Sequence, residues 1–218
     1  MVGSSVLGLR RTFTRALLAG DASAAERVVR EAMLEGLSSA DIDLELIAPA
    51  LFLVGEKWAT GEITVADEHL ASEIALRVLA LQREARRTVR RRRRRRLLLL
   101  APEGERHVIG LHMATDLLFA AGYETFMLGA DVPLSDIGVA AARHSVDVVC
   151  FTATMPDTAE RLDAAIDYLR AARPECGILL GGSGVPFQVA AGWGATVCTD
   201  VSDAVTSVDA LVHRAPLN

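Results

Sequence analysis

The chain has 218 residues, of which 51% are hydrophobic, and a formal charge of -5 at neutral pH. This length and composition suit one large or two small folded domains and exclude disorder as the dominant state. Without the uninterrupted arginine run 90–96, 16 basic residues would remain against 28 acidic ones. Only this run therefore offers electrostatic affinity for phosphate or for an anionic membrane, and a solvated linker is the simpler interpretation of it.

Three cysteines, Cys150, Cys176 and Cys198, form no CxxC pair and have no metal-ligand spacing. This pattern favours reduced, mostly buried thiols of a cytoplasmic protein. The first 20 residues lack a long apolar core followed by a cleavage-like site. No stretch approaches the roughly 18 consecutive apolar residues of a membrane span. We therefore expect a protein that is neither exported nor inserted in a membrane.

Apolar residues recur at helical spacing from Gly8 to Arg86, with three interruptions. The pattern predicts about four helices that form a small bundle. Asp21 and either Ser38 or Ser39 are candidate N-caps, because their side-chain oxygens can accept from the free amides of a first helical turn.

The hydrophobic period changes after the arginine run. Short apolar segments predict strands over 97–100, 124–128, 147–152, 177–180 and 195–198, alternating with helices over 108–121, 134–144, 158–172, 187–191 and 203–213. Five such strands predict a flavodoxin-like or Rossmann-like parallel sheet with helices on both faces and ligands at the carboxyl ends of the strands. The expected organisation is a four-helix-bundle-like cap domain (1–88), an arginine-rich linker (89–96) and an α/β domain (97–218).

A histidine follows the first predicted strand, where the loop reads Glu-Gly-Glu-Arg-His-Val-Ile-Gly over 103–110. His107 therefore lies at the ligand-binding edge of the sheet and is a better ligand candidate than the chain's other histidines. Glu105 can accept a hydrogen bond from one ring nitrogen of His107 while the other nitrogen binds a metal. Taken alone, a loop histidine is more often a solvent-exposed residue or a cap.

The loop after the fourth predicted strand reads Gly-Gly-Ser-Gly-Val-Pro over 181–186. Missing side chains would let a flat ring lie against the backbone, although a tight turn is the simpler interpretation. Two such loops at one edge predict a slot for a planar cofactor.

These loops resemble the cobalamin-binding domain family, whose D-x-H-x-x-G motif supplies the lower axial ligand to cobalt. The resemblance spans residues 97 to about 201 and implies that His107 is the cobalt ligand. The family's aspartate is Glu105 here, and its S-x-L segment is Thr152-Ala153-Thr154. The residues that the resemblance assigns to the cofactor in this domain are Glu105, His107, Gly110, Thr152, Thr154, Gly181, Gly182 and Gly184, with the glycines 181 and 182 flanking the dimethylbenzimidazole tail.

A second motif lies in the helical domain, where Trp58 precedes the pair Glu68-His69 by ten residues. It resembles the W-x9-E-H signature of light-sensing, adenosylcobalamin-binding regulators. The resemblance implies that Trp58 covers the adenosyl group, that Val65 packs near it, and that Glu68 and His69 bind its sugar or base. The alternative is that Trp58 is a core residue and that Glu68-His69 is only a helix start with a favourable interaction with the helix dipole. Ala59 stands where we expect a histidine in those regulators.

The resemblance implies a sensory module that is not an enzyme and that holds adenosylcobalamin between the two domains. Light would break the cobalt–carbon bond, and a protein effector or a changed, light-dependent oligomer would carry the signal, since no convincing DNA-binding helix-turn-helix precedes the bundle. Stand-alone relatives, the photocobilins, pair cobalamin with a bilin, which makes a bilin a candidate second chromophore. A corrinoid methyl carrier serving methyltransferases and an adaptor with an empty slot remain alternatives.

Overall fold

The structure, a computed structural model, describes residues 2–85, 93, 95–155 and 159–214. The chain divides into two compact units, Met1–Thr88 and Val89–Asn218.

Helices form the first unit, and α1 packs against α2, α4 and α5. Their bounds are α1 Val2–Leu18, α2 Ala22–Leu34, α3 Ser39–Ile42, α4 Ala48–Ala59 and α5 Val65–Ala85. Asp21 caps α2 by accepting from the amide of Ala24. Ser38 caps α3 and forms a capping box with Asp41. Both predicted N-caps are therefore confirmed, with Ser38 as the cap of the third helix.

A π-helical turn over Asp43–Ile47 joins α3 to α4. Pro49 is in the first turn of α4 and has no amide hydrogen for the carbonyl group of Glu45, four residues earlier. The Arg10 guanidinium donates to that carbonyl oxygen instead, and it also binds the Glu45 carboxylate at 2.8 Å. The wider turn therefore accommodates the proline without ending the helix.

A five-stranded sheet with helices forms the second unit. The elements are β1 Arg96–Pro102, α6 Ile109–Ala120, β2 Glu124–Val132, α7 Leu134–Arg143, β3 Val148–Thr152, α8 Ala159–Ala172, β4 Gly177–Gly181, α9 Phe187–Ala190, β5 Thr196–Cys198 and α10 Ala204–Arg214. The strand order is β2-β1-β3-β4-β5, and every pair is parallel. The predicted fold class is confirmed.

The central strand β1 explains why its apolar run is continuous. Leu98 and Leu100 pack in a core with residues of α7 and α8, whereas Leu97 and Leu99 pack in a second core with residues of α6 and α10. Successive side chains of a strand point to opposite faces, so a strand covered by helices on both faces needs apolar residues at every position.

The described arginines of the basic run are held by acidic residues of the second unit. The ion pairs join Arg93 to Asp209, Arg95 to Asp147 and Arg96 to Glu124. Strand β1 also begins at Arg96. Arg96 therefore belongs to β1 and not to the predicted linker, and Arg93 and Arg95 are ion-paired, while positions 90–92 and 94 lie outside the described residues.

The three cysteines are free and buried, as the spacing predicts. Burial raises the pKa of each thiol above its ordinary value. Among the described residues, no helix is long and apolar enough to cross a membrane.

Candidate functional site

Three loops follow β1, β3 and β4, which are neighbours in the sheet. We refer to residues 103–108 as the histidine loop, to 153–155 as the threonine loop and to 182–186 as the glycine loop. Because the strands are parallel, all three loops lie at the carboxyl edge. The chain reverses its strand order between β1 and β3, and ligands of such sheets bind in the crevice at this point.

His107 and Glu105 form a close pair in the histidine loop. The ring Nδ1 of His107 lies 2.6 Å from Oε1 of Glu105, and the His107 amide donates to the same oxygen at 2.8 Å. The Glu105 side chain is fully buried, whereas the His107 side chain is 53% exposed. A carboxylate at Nδ1 favours the tautomer whose Nε2 carries the lone pair, so Nε2 is available to a metal.

Glu105 also bridges to the threonine loop. Its Oε2 accepts from the amide of Thr154 at 2.7 Å and from that of Met155 at 3.4 Å. Burial raises the pKa of the Glu105 carboxyl. Hydrogen bonds from the Thr154 amide, the His107 amide and the His107 ring together lower this pKa by more than burial raises it. The net pKa lies below the usual glutamate value, so the group is a carboxylate that can orient the imidazole.

The glycine loop packs directly on the threonine loop. A Cβ at Gly182, whose φ is +104°, would overlap the carbonyl oxygen of Ala153, and a Cβ at Gly184 would overlap that of Met155. The space that these side chains would fill is therefore occupied by protein backbone. Loop packing thus requires both glycines, which differs from the expectation that their missing side chains leave room for a ring. At Gly181 a Cβ would make only an ordinary contact, 3.8 Å from the carbonyl oxygen of Cys198.

The remaining predicted residues of this unit lie at the same edge. Gly110 is an exposed residue in the first turn of α6, and a Cβ there would meet no atom within 4 Å. Thr152 is the last residue of β3 and is buried, while Thr154 is half-buried in the threonine loop. The structure therefore brings the histidine, threonine and glycine loops together, as the resemblance implies.

In the helical unit, the predicted residues lie at the end of α4 and the start of α5. Trp58 is 45% exposed and Val65 is 52% exposed. Trp58 is thus not a core residue, which removes the simpler interpretation of that side chain. Glu68 Oε2 lies 2.6 Å from Nδ1 of His69, and its Oε1 accepts from the Ser72 hydroxyl at 2.7 Å. Exposed apolar surface beside a hydrogen-bonding carboxylate can take up a ligand with an apolar face and hydroxyl groups.

Asp131 at the end of β2 is a residue of the site that the sequence analysis missed. Its amide donates to the Glu105 carbonyl at 3.0 Å, and its Oδ1 accepts from the Gly104 amide at 2.7 Å. The only sequence signal is a polar residue near the end of a strand beside the histidine loop, which many unrelated proteins share.

One histidine is the candidate metal ligand at this edge of the sheet. Among the residues that the structure describes, no group of three or more His, Cys, Asp or Glu side chains is arranged to hold a metal ion. His107 alone therefore suits a metal whose other ligands come with a cofactor, and a corrin ring supplies its own equatorial nitrogens. The fold and the site together define a protein that presents a single oriented imidazole at the ligand-binding edge of a doubly wound sheet.

Comparison with known proteins identifies the class. The chain belongs to the B12 binding domain family, whose two models match residues 9–82 and residues 95–204. It is 34% identical to the HTH-type transcriptional repressor CarH of Myxococcus xanthus over 133 residues, which is 60% of this chain and 42% of that protein. It is 25% identical to monomethylamine corrinoid protein 1 of Methanosarcina acetivorans over 139 residues, which is 62% of this chain and 64% of that protein.

A solved structure shows the same fold. The monomethylamine corrinoid protein of Methanosarcina barkeri matches with a TM-score of 0.82 at 20% identity, covering 95% of this chain and 99% of that one. The match to the two curated relatives spans less than two thirds of the length of either. The chain is therefore a cobalamin-binding module with the helical and α/β parts of this family.

Proposed function

We propose that the chain is a sensory module that binds adenosylcobalamin, with His107 as the axial ligand to cobalt, and that it is not itself a catalyst. The observation that carries the proposal is the His107–Glu105 pair at the carboxyl edge of the sheet, with Nδ1 engaged at 2.6 Å. A buried carboxylate holds the ring in an orientation that leaves Nε2 available to a metal.

In this proposal, other residues at the same edge of the sheet lie beside the cofactor. Gly181 and Gly182 flank the tail, Gly110 lets the cofactor approach the first turn of α6, and the threonine loop lies beside the tail. These roles follow from the family resemblance together with the exposure of Gly110 and Gly182 and the open space at Gly110. The bound cofactor supplies a cobalt–carbon bond that visible light can break.

Exposed residues of the helical unit favour the adenosyl form. Trp58 and Val65 present apolar surface that can exclude water from the upper ligand, and Glu68 offers carboxylate oxygens to ribose hydroxyls. His69 is the second hydrogen-bonding group of this set. A methyl group has no hydroxyl for Glu68 to bind, so these side chains would discriminate between upper ligands.

Reconstitution in the dark tests the proposal. The purified chain is mixed with adenosylcobalamin, and its absorption spectrum is recorded before and after green illumination. We expect the absorption spectrum of the bound adenosylcobalamin to change on illumination. In His107→Ala we expect the spectrum to lack the features of cobalt coordinated by an imidazole. Trp58→Ala should weaken the binding of adenosylcobalamin more than the binding of methylcobalamin. The control is Tyr168→Ala, which removes an aromatic side chain of similar exposure on α8 and should leave both affinities unchanged. Equal affinity for both forms in Trp58→Ala and the parent would contradict the sensory assignment.

A corrinoid methyl carrier is the second candidate. The observations that favour it are Ala59, which leaves no histidine directly after Trp58, and the similarity to monomethylamine corrinoid proteins. The same spectra discriminate, because a carrier would bind methylcobalamin as tightly as the adenosyl form and would lose the methyl group to an added methyltransferase. Glu68→Gln should leave methylcobalamin binding unchanged under either function and should weaken adenosylcobalamin only in a sensor.

In this proposal the signal passes to a protein partner or through a change of assembly. We expect a protein effector or a light-dependent oligomer, and light-scattering measurements of mass in the dark and after illumination test the second. That a bilin is bound as a second chromophore stays a prediction. A second visible absorption band in protein expressed in the presence of a bilin would support it.

A further inference from the structure

The end of β2 folds back on the histidine loop through a single residue. Asp131 has a φ of +55°, which side chains rarely adopt and which asparagine and aspartate tolerate best. In this conformation its amide donates to the Glu105 carbonyl and its carboxylate accepts from the Gly104 amide. Both contacts fall on the residues just before His107.

The histidine loop is also closed on its other side. Gly104 has a φ of +82°, and a Cβ there would lie 2.9 Å from the Arg161 guanidinium carbon. The loop thus lies between α8 and the end of β2. A displacement of Gly104 would move Glu105, whose carboxylate contacts both His107 and the threonine loop.

The geometry points to Asp131 as a positioning residue for His107, acting through the backbone of Gly104 and Glu105. This inference goes beyond the proposed function in assigning Asp131, and only its cofactor readout rests on that function. Asp131 positions the loop through its acceptor oxygen, which binds the Gly104 amide. Its ion pair with Arg106 is weak, because it spans 3.8 Å and both side chains are exposed. Its charge is therefore secondary.

Two variants separate the acceptor oxygen from the backbone conformation. Asp131→Asn keeps an Oδ1 acceptor and tolerates the positive φ but removes the charge. Asp131→Gly keeps the backbone conformation and removes the acceptor. Ser145→Gly is the matched control, because Ser145 is the other described non-glycine residue with a positive φ and lies in the turn after α7.

The first measurement uses the cofactor-free protein. Hydrogen exchange reports the Gly104 amide, and long-range nitrogen–proton NMR reports the tautomer of His107, assigned with His107→Ala. In Asp131→Gly we expect exchange of the Gly104 amide to rise about tenfold, as for the loss of one hydrogen bond, and the His107 tautomers to mix. Asp131→Asn and Ser145→Gly should match the parent. An unchanged tautomer in Asp131→Gly would overturn the inference, and so would mixing in Asp131→Asn, because the charge would then be responsible.

The second measurement adds aquocobalamin in the dark and follows the fraction of cobalt bound by imidazole. We expect about a tenfold loss of affinity in Asp131→Gly and parental affinity in Asp131→Asn. If the parent chain fails to bind cobalamin, the proposed function fails, while the exchange and tautomer data still decide the role of Asp131. Parental cobalamin affinity in Asp131→Gly together with an altered tautomer would overturn the link from loop position to ligation.

Discussion

Replacement of Glu105 by glutamine should destabilise the α/β unit even without cofactor. The carboxylate accepts on both oxygens, from the His107 amide at 2.8 Å and from the Thr154 amide at 2.7 Å. Glutamine has one acceptor oxygen, so its NH₂ group must face an amide donor on one side. The variant would lose one charge-assisted hydrogen bond and leave a buried donor without a partner, which costs about 2 to 3 kcal/mol.

Urea unfolding followed by tryptophan fluorescence measures this cost. The chain has two tryptophans, and in a Trp58→Phe background only Trp193 remains, which donates to Asp163 in the α/β unit. The matched control is Glu103→Gln, which removes the same charge from an exposed residue of the same loop. A Glu105→Gln variant whose unfolding free energy falls within about 0.5 kcal/mol of the Glu103→Gln control would refute the bridging role.

Four further variants test the same unit. Gly182→Ala should lower the free energy of urea unfolding by more than about 2 kcal/mol, because Gly182 has a positive φ and its Cβ would overlap the backbone. Gly110→Ala should stabilise the cofactor-free chain by about 0.5 to 1 kcal/mol and weaken cobalamin binding. Asp147→Asn should cost about 1 to 2 kcal/mol in the same assay, since its carboxylate binds a half-buried guanidinium at 2.7 Å and a backbone amide at 2.8 Å. Burial, and next the hydrogen bond to Asp209, raise the pKa of Tyr123 to about 12. The stability that this shift contributes is present below a pH of about 10 and should be lost as the pH rises through 12. Ultraviolet titration of Tyr123→Phe should lack the ionisation near pH 12.

The fold was predictable because its signals are local. Five apolar segments separated by helical periodicity indicate a parallel sheet, and Asp21 and Ser38 are caps that a short stretch of sequence identifies. Strand β2 runs to Val132 rather than to the predicted end at 128, because an edge strand is only partly buried and its polar residues resemble a loop. The π-helical turn was missed since it leaves the apolar spacing intact.

The site was predictable only in part because its contacts are not local. His107 and Glu105 are two residues apart and form a recognisable motif, whereas the bridge from Glu105 to Thr154 spans 49 positions. The same limit hid Asp131, whose contact with Gly104 spans 27 positions. Spacing along the chain carries no record of such pairings, so the role of Glu105 in joining two loops required the structure.

The bridge gives Glu105 two roles that variants can separate. The His107 side chain is half exposed, so His107→Ala should leave the cofactor-free unit nearly as stable as the parent and remove only the stabilisation that bound cobalamin adds. That stabilisation grows with occupancy and reaches about 2.7 kcal/mol at a cobalamin concentration a hundredfold above the dissociation constant. Glu105→Gln should lower both quantities, because the same carboxylate orients the imidazole and ties the histidine loop to the threonine loop. A glutamate reaches both loops where the family's shorter aspartate would have one methylene less, so Glu105→Asp should keep the contact with His107 and lose part of the contact with Thr154.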